Sequence, residues 1–90
     1  MEHVIDLRTV FSADDLYDLL DEHMELPAYF GRNLDALADV FSEMGPRHPL
    51  EIHFVGFAEG EAVLGKFARK FRMVCETAAR ENPALTFTFE

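Results

Sequence analysis

Apolar residues recur along this chain with two different periods, and the switches between them mark its elements. Residues 3 to 8, His-Val-Ile-Asp-Leu-Arg, form a short β-branched and apolar run that predicts a strand. Leu16, Leu19, Leu20 and Met24 then follow at helical spacing, leaving Asp14, Asp18, Asp21, Glu22 and Glu25 for solvent. Ser12 stands where an N-cap belongs, and Asp15 at the third helical position answers it. Phe11 and Leu16 occupy the positions of a hydrophobic staple. Pro27 and Gly31 bracket an irregular link that carries Tyr29 and Phe30. Asn33 is the next N-cap, and from it a helix is predicted to about Met44 with Leu34, Leu37, Phe41 and Met44 as its apolar stripe.

Gly45, Pro46 and Pro49 break that helix, and residues 50 to 55 (LEIHFV) alternate as a second strand. Gly56 and Gly60 open a further helical region with Val63, Leu64, Phe67, Phe71, Val74, Cys75 and Ala78 on one face, which Gly65 divides into a short and a long helix. Asn82-Pro83 ends it, and residues 85 to 89 (LTFTF) make a third strand. Strands separated by helices predict a parallel sheet with right-handed crossovers. The strands alternate, with Leu85, Phe87 and Phe89 opposite Thr86 and Thr88, and Leu50, Ile52 and Phe54 opposite Glu51 and His53. One face is therefore apolar and the other polar. The expected fold is α/β with two layers, a three-stranded parallel sheet whose helices all pack on one face. Ninety residues make one domain, 1–90.

Charge changes this picture. Eight Lys and Arg against seventeen Asp and Glu give a net charge of −9. Such a surface repels nucleic acid and anionic membranes and suits a basic protein partner. The charge is also uneven. Residues 13 to 43 hold nine acids (Asp14, Asp15, Asp18, Asp21, Glu22, Glu25, Asp35, Asp39, Glu43) and the single base Arg32, whereas residues 62 to 82 are net basic. The single cysteine, Cys75, fits a reducing compartment. With no signal-peptide pattern at Met1-Glu2-His3 and no apolar run long enough to span a bilayer, the expectation is a soluble cytoplasmic protein, monomeric when free.

Candidate chemistry is sparse. Gly60 to Phe67 superficially follows a phosphate-binding loop, but Phe67 stands where Ser or Thr would hold magnesium and Glu61 would repel phosphate. The histidines His3, His23, His48 and His53 show no metal-ligand spacing among themselves or with Cys75, so neither metal nor cofactor is expected. His53 on the polar sheet face near Asp6 and Thr88 suggests a hydrolytic trio only loosely, and a solvated face is the better account, because a triad needs an oriented nucleophile and an oxyanion hole. Cys75 lies in an apolar stripe and reads as a core residue. No catalytic set is visible, so an enzyme is not expected.

The second helix is more informative. Asp35, Asp39 and Glu43 fall at i, i+4 and i+8, clear of the apolar stripe. Like charges at this spacing repel by roughly 0.2–0.5 kcal/mol per pair. Asp35 recovers some of this in the first turn, where the helix dipole favours an anion. Tyr29 in the preceding link suits either the core or an interface anchor. Glu76 has Arg72 and Arg80 four residues to either side, and internal ion pairs would account for it.

The run Leu26-Pro27-Ala28-Tyr29-Phe30-Gly31-Arg32-Asn33-Leu34-Asp35-Ala36-Leu37-Ala38-Asp39 resembles the signature of the barstar family, intracellular inhibitors of barnase-type ribonucleases. The element order agrees with that family along the whole chain. The resemblance implies that Asp39 enters the enzyme's phosphate pocket, that Asp35 meets its arginines and that Tyr29 packs over the catalytic histidine region. Asn33 and Leu34 would support these contacts from the helix start. Glu76 would correspond to a further acidic contact on the later helix. The family commonly has Trp immediately before the Asp39 position; here it is Ala38, and the chain has no tryptophan. Glu43-Met44 likewise replaces a small residue and an aromatic. The implied function is an inhibitor or antitoxin directed at a basic extracellular-type ribonuclease or related toxin. The alternative is an acidic interaction module for a basic partner that is not a nuclease.

Overall fold

The structure, a computed structural model, describes residues 2–45 and 49–90. His48 and the helix-breaking Pro46 lie outside these residues. Three parallel strands, β1 (Glu2–Asp6), β2 (Leu50–Val55) and β3 (Leu85–Phe89), form a sheet in the order β1-β2-β3. The helices are α1 (Ala13–Met24), α2 (Leu34–Ser42), α3 (Phe57–Leu64) and α4 (Lys66–Glu81). The alternation in β2 decides the layering. Leu50, Ile52 and Phe54 are buried beneath the helices, whereas Glu51, His53 and Val55 are only partly covered. Ile5 is buried on the same side and its neighbour Val4 lies exposed on the other. The two-layer α/β arrangement expected from the strand pattern is thus the observed one.

One apolar cluster joins sheet and helices. Leu16, Tyr17 and Leu20 of α1, Leu37 and Phe41 of α2, and Phe71, Cys75 and Ala78 of α4 meet the buried strand residues. Full burial of an aliphatic or aromatic side chain is worth ~1.5–3 kcal/mol, so this cluster dominates the stability. Phe54 is its centre, stacked on Phe89 at 5.0 Å and meeting Phe71 edge-to-face at 5.3 Å. Cys75 is fully buried in it, and burial pushes its thiol pKa well up. Among the described residues, no helix is long and apolar enough to cross a membrane.

Four local expectations need correction. The first strand stops at Asp6 instead of reaching Arg8, because the Asp6 carboxylate accepts the Arg8 backbone N–H at 2.9 Å and also binds its guanidinium. That side-chain bond competes with strand extension and sets a 3-10 turn, Leu7–Thr9. Phe11 is 74% exposed, so it makes no effective staple with the buried Leu16. Val63 is exposed and does not share the apolar face. Gly60 does not open a helix. It lies within α3 and is buried against the 3-10 turn, where an added Cβ would stand 3.1 Å from the Leu7 Cβ. Gly65 divides the two helices as expected, at φ 60 and ψ −130, a conformation only glycine adopts readily.

Candidate functional site

α2 is set in place from both ends. Asn33 accepts the Ala36 N–H at 2.8 Å and donates to the Gly31 carbonyl at 3.1 Å, so its side chain serves as N-cap and link brace together. Such a cap is worth ~1 kcal/mol. At the other end Asn82, beyond α4, donates to the Phe41 and Met44 carbonyls at 3.0 and 2.8 Å. The Phe41 carbonyl belongs to the last turn of α2, where it also accepts the Met44 N–H at 3.3 Å, and the Met44 carbonyl lies just beyond the helix end. Between the caps, Leu37 and Phe41 anchor the inner face with no exposure, and Leu34 and Met44 pack partly against the core.

The outer face of α2 carries the sequence-derived candidates. Asp35, Ala38, Asp39 and Glu43 are all exposed. Among the described residues, the carboxylates of Asp35, Asp39 and Glu43 make no ion pair and no hydrogen bond. Glu43 is the C-cap residue, just past the helix end at Ser42. The stripe is therefore negative charge with no ion-pair partner among the described residues, on a helix fixed by its own packing.

The link before α2 sorts its two aromatics. Phe30 turns inward, edge-to-face with Tyr17 at 5.4 Å, while Tyr29 is 78% exposed. Arg32, the lone base of the acidic half, adopts a left-handed conformation at φ 49. It reaches back to Asp14 at 3.2 Å and Asp18 at 3.0 Å, and lies over the Tyr17 ring at 5.6 Å. Arg32 thus ties the link to α1 and pairs with Asp14 and Asp18, not with the α2 acids.

A groove of about 1350 Å³ runs between α2 and α4, lined by Leu34, Asp35 and Ala38 on one side and by Phe67, Met73 and Val74 on the other. The small Ala38 side chain leaves it open beside the acidic stripe. Glu76 does not line this groove. Its carboxylate takes the Arg72 Nε–H at 3.3 Å, and Arg72 in turn sits over the Phe57 and Phe89 rings. Arg80, the second expected partner of Glu76, instead donates to the Thr77 hydroxyl. So the structure gathers Asp35, Ala38 and Asp39 on one surface, with Asn33 and Leu34 at its start, and holds Glu76 elsewhere.

The loose hydrolytic trio does not form as drawn. His53 meets Thr88 through Nδ1 at 2.7 Å, but Asp6 is occupied by Arg8. Glu51 at 2.8 Å and Glu2 at 3.2 Å face Nε2 instead. The hydrogen bond with Glu51 holds the imidazole pKa above its ordinary value, and Glu2 adds to it. This cluster, on the open sheet face, escaped a search for histidine and cysteine spacing. The readable signal was Glu51-x-His53 on one strand face.

The family model described as Barstar (barnase inhibitor) matches residues 1–90, the whole chain. A search of the curated proteins finds no match.

Proposed function

This chain belongs to the barstar family, a family of barnase inhibitors, and from that membership we propose that it blocks the cationic active site of a barnase-like ribonuclease with α2. The observation that carries this reading is the exposed stripe of Asp35 and Asp39, which pairs with no cation among the described residues, on a helix capped at both ends. A ribonuclease site is cationic because it binds phosphates. Carboxylates held rigidly can occupy the phosphate positions without offering a bond to cleave. Pre-fixing the helix lowers the entropy lost on binding. The acidic half steers the encounter and raises the association rate. Tyr29 supplies an exposed aromatic anchor, with Asn33, Leu34, Ala38 and Glu43 framing the contact. The chain acts as an intracellular monomer, itself without enzymatic activity.

The test is inhibition of a purified barnase-type ribonuclease by the chain and by its Asp39→Ala and Asp35→Ala variants. Stoichiometric inhibition that weakens in both variants supports the reading. Equal inhibition or equal binding by all three overturns it. Tight binding to a basic protein that is no nuclease favours the interaction-module alternative.

A further inference from the structure

Three side chains from two strands converge on the open face of the sheet. Glu51 and His53 are two residues apart on β2 and so project to the same side. Glu2 of β1 is the register partner of Glu51, and Thr88 of β3 is the register partner of His53. One ligand atom from each of Glu2, Glu51 and His53 lies within 4.8 Å of the others. Two carboxylates placed directly opposite on neighbouring strands repel each other. Here they are aimed at a common point in front of one imidazole nitrogen, His53 Nε2. The other nitrogen, Nδ1, is engaged by the Thr88 hydroxyl, which fixes the ring plane. An imidazole oriented through its far nitrogen by an outer partner is the usual arrangement of a metal-binding histidine.

We propose that Glu2, Glu51 and His53 bind a divalent transition-metal ion of the zinc class, with water in the remaining position. Donor atoms ~2.0–2.2 Å from a tetrahedral ion stand roughly 3.4 Å from one another. The Nε2-to-carboxylate distances of 2.8 and 3.2 Å reach this by opening roughly 0.6 and 0.2 Å through side-chain adjustment. One nitrogen and two oxygens suit zinc, cobalt, nickel or copper better than calcium or magnesium, which prefer all-oxygen sites. The bound ion takes the place between the carboxylates now held by hydrogen bonds, and it reverses their mutual repulsion. The site is on the sheet face away from the helices, so it is independent of the proposed inhibitory surface of α2.

The experiment titrates the full, untagged, metal-free chain with Co2+, followed by visible absorption, and with Zn2+, followed by calorimetry, near neutral pH. One ion per chain is expected. His53→Ala should weaken binding at least ~10-fold, and Glu51→Gln and Glu2→Gln should each weaken it measurably. Thr88→Val, which removes the orienting hydroxyl and no ligand, should also weaken it, by ~10-fold. His23→Ala should leave it unchanged. Far-UV circular dichroism checks that each variant is folded, and the near-isosteric Glu51→Gln keeps the test decisive if His53→Ala is perturbed. The proposal is overturned by absence of saturable binding up to millimolar metal or by binding that survives His53→Ala. Loss of binding in His23→Ala alone also overturns it, because the metal would then sit at the His3–His23 pair.

Discussion

The side-chain amide of Asn82 donates to the main-chain carbonyl of Met44 at 2.8 Å, binding the α4–β3 junction to the end of the acidic helix. The same amide reaches the Phe41 carbonyl, and its oxygen accepts the Ala84 N–H. Asn82 is therefore a C-cap supplied from 38 residues away in sequence. Asn82→Ala should cost ~1–3 kcal/mol of stability, since two side-chain hydrogen bonds to main-chain carbonyls are lost. Urea denaturation measures the loss. Asn82→Asp should be no better, because a carboxylate has no N–H to give.

At the acidic stripe, Asp39→Ala should weaken the ribonuclease complex by ~2–5 kcal/mol, part of which is the partner's cation left unpaired. Asp35→Ala and Tyr29→Ala should follow. Folding should change by less than ~0.5 kcal/mol, because the Asp39 carboxylate is exposed and has no partner among the described residues. Calorimetric binding beside thermal melts of the free variants separates the two quantities.

Salt should act mainly on association. The charges of residues 13 to 43 are screened beyond ~10 Å at 0.1 M salt. Stopped-flow rates should show association slowing steeply with added salt, with dissociation changed much less.

Glu76→Ala serves as the control. Its ion pair with Arg72 is an exposed i, i+4 contact worth ~0.3–0.5 kcal/mol. Stability should fall by about that much and partner binding should hardly move. A double-mutant cycle with a partner arginine that shows strong coupling would instead place Glu76 in the interface.

His3 provides a pH readout. Its Nδ1 stands 3.2 Å from that of His23. Burial first, then His23, lowers the His3 pKa from its ordinary 6.5. A histidine depressed in the folded state binds its proton more readily when unfolded. Its contribution is therefore complete above the unfolded pKa and is lost as pH falls from about 6.5 through the folded value. His53, with a raised pKa, acts in the opposite sense. The His3 part is read as the difference in melting temperature between the chain and His3→Gln, which should narrow or change sign on moving from pH ~7.5 to ~5.5.

Much of this molecule was legible because its signals were local. The strands of residues 50–55 and 85–89 fall where their alternation placed them, and Ser12 and Asn33 cap the helices they precede. The misplaced features depend on contacts distant in sequence or on competition between side chain and backbone. Asp6 ends β1 by capturing Arg8, a bond that a β-branched run does not reveal. Asn82 read only as a helix terminator, because its acceptors belong to another element. Of Glu76's two flanking arginines, spacing could not decide which would pair. For the α2 stripe, spacing alone established one exposed face, and the family match adds that the chain belongs to the barnase inhibitors.

Cys75, buried without exposure between α4 and the sheet, gives the molecule a built-in reporter. Its raised pKa keeps the thiolate scarce, and packing keeps reagents away, so a thiol-directed label reacts only when the core opens. With a single sulfhydryl in the chain, each modification counts one such opening, without any engineered tag. Labelling measured with and without a bound ribonuclease would then convert occupancy of the outer face of α2 into a lifetime of the closed core.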